Sequence, residues 1–66
     1  MKLIKVLIQG HILHVFSFIS IIKDDEGIVV TSPISEKDKL KSLNIEYVEN
    51  ENTIIWDIPE DATFTI

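Results

Sequence analysis

His11 and His14 are the only two histidines of this chain, and their spacing decides what chemistry they could share. Three residues apart on a helix, they would lie on one face and could hold a metal. On a strand the same odd spacing sends them to opposite faces. Their neighbours Ile12, Val15 and Phe16 are β-branched or aromatic, which favours the strand. The pair therefore reads as structural or surface histidines, and no metal is expected. With no cysteine, a thiolate zinc site is excluded outright. Asp24, Asp25 and Glu26 form an acidic cluster, but no distal bidentate carboxylate follows at calcium-loop spacing. Ser17, Ser20, Ser32, Ser35 and Ser42 lack the context of a nucleophile elbow. Gly10 and Gly27, the only glycines, cannot build a phosphate loop. A chain this short also has little material to wall off a water-excluded pocket. The expectation is a protein that is not an enzyme and carries no cofactor.

The charges are distributed unevenly. From Met1 to Ile22 they are Lys2 and Lys5 alone; from Ser42 to Ile66 they are Glu46, Glu49, Glu51, Asp57, Glu60 and Asp61. Arginine is absent and the formal net charge is −5. One end thus reads as core or contact surface, the other as a solvated anionic face. Affinity for nucleic acid comes largely from cations that neutralise phosphates, so this balance weighs against a nucleic-acid partner.

The apolar run from Leu3 to Ile22 is about long enough to cross a bilayer. Gln9, Gly10, His11, His14, Ser17 and Ser20 interrupt it throughout, and its residue types suit strands. No membrane span is expected, and the protein is expected in the cytoplasm.

Gly10 breaks a run too long for one strand, either as a hairpin turn with Gln9 or as a bulge. Gln-Gly is a poor primed turn, which favours the bulge. Residues 24–27 read as a four-residue hairpin loop, with Gly27 at positive φ, joining a strand that ends at Lys23 to Ile28–Ser32. Pro33 stops that strand. Ser35 and Asp38 resemble a capping box at the start of a two-turn helix, Glu36–Leu43, with Asn44 as a left-handed C-cap. Ile45–Glu49 and Thr53–Ile58 alternate as strands around a turn, and Ala62–Ile66 offers a short extra one.

Residues 1–66 form a single small domain. The expected class is α+β and β-rich: a small sheet or partly open OB- or SH3-like barrel of about five strands with one short helix, in the order β-β-β-α-β-β. An OB-like order raises single-stranded nucleic-acid binding as the alternative function, with Phe16, Phe18, Tyr47 and Trp56 as stacking platforms. Core packing is the simpler reading of those aromatics.

Both faces of the 11–22 strand region are apolar, more than one short helix can cover. The primary expectation is therefore a non-enzymatic interaction module, such as a small adaptor, inhibitor or regulator, acting by stoichiometric binding. It would form a homodimer or sit on a protein partner, and the acidic half would suit a basic partner, including one that itself binds nucleic acid. The candidate contact residues are Glu46, Glu49, Glu51, Trp56, Phe16 and Phe18. Trp56 is the expected core residue if a domain this small cannot spare its largest apolar side chain.

Overall fold

A computed structural model describes residues 2–8 and 12–66. Among them the chain forms β1 (Leu3–Ile8), β2 (Ile12–Ser17), β3 (Ser20–Asp24), β4 (Gly27–Pro33), a 3-10 turn (Ile34–Glu36), α1 (Lys37–Ser42), β5 (Tyr47–Asn50), β6 (Thr53–Asp57) and β7 (Ala62–Thr65). The strands make two antiparallel sheets, ordered β2-β1-β7 and β3-β4-β6-β5. The class is α+β and β-rich as expected, but the sheets are open and do not close into a barrel. Closure would need a hydrogen-bonded ladder from an edge of one sheet to an edge of the other, and none joins them among the described residues.

The apolar run does not continue as one strand. Phe18 N–H donates to Lys2 C=O at 3.2 Å, on the three-stranded side, whereas Ile19 N–H donates to Thr31 C=O at 2.6 Å, on the four-stranded side. The chain changes sheets between these two residues. Side chains of 12–17 and 20–24 consequently belong to different sheets, and residues 11–22 never form the single two-faced strand expected. The choice between a turn and a bulge at Gly10 falls outside the described residues. β1 and β2 pair antiparallel, with Ile8 opposite Ile12, so the chain reverses between them. Gln9, Gly10 and His11 themselves lie outside the described residues, as does Met1.

Three local signals behave as their chemistry requires. Gly27 takes φ +143° beside a two-residue turn, tighter than the four-residue loop expected, because Asp24 and Gly27 already pair across the ladder. Asp24 Oδ1 accepts from Glu26 N–H at 2.8 Å and holds that turn. Asn44 ends the helix at φ +58°, the left-handed conformation its short side chain tolerates. The capping box fails: Ser35 falls inside the 3-10 turn, and the residue preceding α1 is Glu36, which makes no side-chain cap.

The sheets meet over Ile4, Val6 and Phe16 from one side and Val30, Ile54 and Trp56 from the other, with Leu40 of α1 completing the cluster. Phe16 and Trp56 touch across it, ring centroids 4.9 Å apart and tilted by 47°. Trp56 Nε1–H donates to Ser32 Oγ at 3.0 Å, so its one polar atom is satisfied in the buried interior. Trp56→Ala should therefore unfold the domain, since such truncations cost roughly 3–5 kcal/mol and a domain of this size has little more in reserve. Ser32→Ala, which strips the indole N–H of its acceptor, should lower stability by about 1–3 kcal/mol in a urea titration followed by circular dichroism.

Candidate interaction surface

Strand alternation sorts the three-stranded sheet into two faces. Ile4, Val6, Ile8, Phe16, Ala62 and Phe64 point inward and join or border the core. His14, opposite Val6, shares that inner face and is half-buried. The outer face carries Leu3, Lys5 and Leu7 from β1, Leu13, Val15 and Ser17 from β2, and Thr63 and Thr65 from β7. Leu3 is 46%, Leu13 54% and Val15 38% exposed. Lys5, between Val15 and Thr65, is the single charge among them.

The acids gather elsewhere. Glu46 follows α1, Asp57 ends β6, and Asp61 lies in the turn before β7; all three border a shallow depression with Ile8, Leu43 and Pro59. Glu26, Asp57 and Glu60 border the neighbouring one with Ile28 and Phe64. Three connections remote in sequence thus converge to make one end of the molecule anionic. That end adjoins the row Thr63–Leu7–Leu13 of the outer face, through Ile8 and Ala62. Among the described residues, no three histidine, cysteine or carboxylate groups assemble to hold a metal ion. No described helix is long and apolar enough to cross a membrane.

The structure separates the residues singled out from sequence. Phe16 and Trp56 are core, 0% and 2% exposed, which removes them as direct contact residues of the folded chain. Phe18 is half-buried and packs against the same core. Glu46 belongs to the anionic end, whereas Glu51 sits in the β5–β6 turn at the opposite end of its hairpin, at φ +56°. Glu49 lies between them and pairs with Lys37 at 3.2 Å, which raises the lysine pKa through that hydrogen bond and then through the carboxylate's charge. The three glutamates do not make one patch. Leu3, Leu7 and Lys5 were missed, although their alternation with Ile4, Val6 and Ile8 was visible in the sequence.

A second ion pair has a structural task. Glu36 Oε1 accepts from Ser17 N–H at 3.4 Å, and Oε2 lies 3.2 Å from Lys39 Nζ. Lys39 also donates to Val15 C=O and sits 5.1 Å from the Phe16 ring centroid. Together they occupy the outer edge of β2, which has a strand neighbour on one side only. Glu36→Ala should cost about 1–3 kcal/mol, because it removes the acceptor of the Ser17 N–H bond and the partner of Lys39. Glu49→Gln, at an exposed pair, should leave the denaturation midpoint unchanged within error.

Comparison with known protein families, curated proteins and solved structures finds no match for this chain.

Proposed function

We propose that this protein is a cytoplasmic, non-enzymatic interaction module that acts by stoichiometric binding, as an adaptor, inhibitor or regulator. The observation that carries the reading is the outer face of β2-β1-β7, where Leu3, Leu13 and Val15 stand exposed around one lysine. A domain this small gains little by leaving such side chains in water, and a contiguous apolar face marks a contact surface. Its occupant is a protein with an apolar patch bordered by Lys or Arg, because the anionic end of the molecule adjoins one margin of this face. Attraction between these margins would speed and orient encounter, while the apolar centre supplies affinity.

The nucleic-acid alternative has less support: two of its four stacking platforms, Phe16 and Trp56, are buried, and the chain has a net charge of −5 with no arginine to neutralise phosphates.

The test is capture from the native host with variants as controls. Leu13→Glu should remain folded by circular dichroism and lose the captured protein. Joint charge reversal of Glu46, Asp57 and Asp61 should weaken capture most at low salt. Equal capture by wild type and Leu13→Glu would refute this face as the binding surface.

A further inference from the structure

Four strands end the two sheets, and three of those edges are defended. β2 is covered by Lys39 and Glu36. β3 carries Lys23 and Asp24 within the strand, and β5 carries Glu49 within it. Charges of this kind oppose pairing with another chain. β7 has neither device within its span: its residues are Ala62, Thr63, Phe64 and Thr65, with Asp61 just before it, and its one strand neighbour among the described residues is β1.

The direction of its backbone groups follows from the ladder. Val15 and Ser17 turn their backbone groups away from β1, as their bonds to Lys39 and Glu36 show. Their partners Lys5 and Leu3 must then turn theirs toward β7, since the two sides alternate. Thr63 and Thr65 therefore bond to β1, and Ala62 and Phe64 face the open edge. The bond from Ala62 N–H to Pro59 C=O, at 3.1 Å, agrees with that orientation.

We propose that β7 pairs antiparallel with β7 of a second copy, Phe64 opposite Phe64, to give a two-fold dimer with a continuous six-stranded sheet. In this register Phe64 N–H and C=O exchange two hydrogen bonds across the axis. Ala62 C=O accepts from Ile66 N–H of the second copy, and the symmetry repeats that bond. Thr63 lies opposite Thr65 of the second copy on the outer face, a favourable cross-strand pair occurring twice. Ile66, 73% exposed in the single chain, gains Ala62 of the second copy as its neighbour. The charge is tolerated: the two Asp61 residues lie about 20 Å apart along the ladder, beyond a screening length of about 8 Å. The dimer rests on the interaction-module reading and deepens it, since pairing places two apolar outer faces side by side on one sheet.

Sedimentation equilibrium at low salt, with circular dichroism on each variant, tests the register. Wild type should be a dimer at high micromolar concentration. Thr63→Glu with Thr65→Glu sets like charges opposite each other and should raise the dissociation constant roughly tenfold. Thr63→Lys with Thr65→Glu sets opposite charges there and should restore it. A monomeric wild type, a double-glutamate variant as dimeric as wild type, or a failure of the charge-swapped variant to restore assembly would overturn the proposal. Should the charged variants fail to fold, a mixture of Thr63→Cys and Thr65→Cys chains decides. Oxidation should cross-link the two different variants and neither with itself, and the absence of that mixed product overturns the register. Leu13→Glu should stay dimeric. Loss of the dimer in Leu13→Glu alone overturns the β7 pairing while leaving the apolar face as a contact surface.

Discussion

The contact between Phe16 and Trp56 is what makes one domain of two sheets. Among the described residues no hydrogen-bonded ladder joins the sheets, so their association depends on side chains meeting across the interior and on the segments that pass between them. These two rings are the largest fully buried side chains, one from each sheet, and they touch across the interior. The geometry also explains how a single polar atom is tolerated there. The indole N–H is directed at Ser32, on the strand next to Trp56, so the hydrogen bond stays within one sheet while the ring surface serves both. With no disulfide to supplement it, the fold has only this cluster and its half-buried border to offset the entropy of ordering the chain.

Open sheets carry a second constraint, because every open sheet has edges. The short helix serves both needs at once. Leu40 fills the interior, while Glu36 and Lys39 reach the backbone of β2 and occupy its free side. Lys39 also lies near the face of Phe16, so the protection of an edge and the central contact share one side chain. The surface that remains is divided by chemistry. An anionic end is assembled from three separate connections, and an apolar outer face is interrupted by a single lysine.

Much of this arrangement was legible in residue types with narrow backbone preferences. Gly27 and Asn44 marked positive φ, Pro33 marked the end of β4, and period-two alternation located β5 and β6. What could not be read was where a strand leaves its sheet. Alternation reports which side of a strand is apolar, and between residues 12 and 22 both sides are, so the transfer at Phe18 and Ile19 leaves no mark in the pattern. The capping box misled for a related reason: Ser35 and Asp38 have the right spacing, but the chain enters the helix through a 3-10 turn that moves the cap position to Glu36. Of the surface, the acids were visible as residues, yet their grouping was not. Glu46 joins Asp57 and Asp61 through tertiary structure, while its sequence neighbours Glu49 and Glu51 are carried along β5 and away.

Amide hydrogen exchange along β7, measured residue by residue over a range of protein concentrations, bears most directly on an assembly built from these open sheets. Thr63 and Thr65 bond to β1 and should be protected at every concentration, whereas Phe64 should exchange rapidly in dilute solution and slow as the concentration rises. Phe64 exchange that stays fast at all concentrations, or that is slow even at high dilution, would contradict the account.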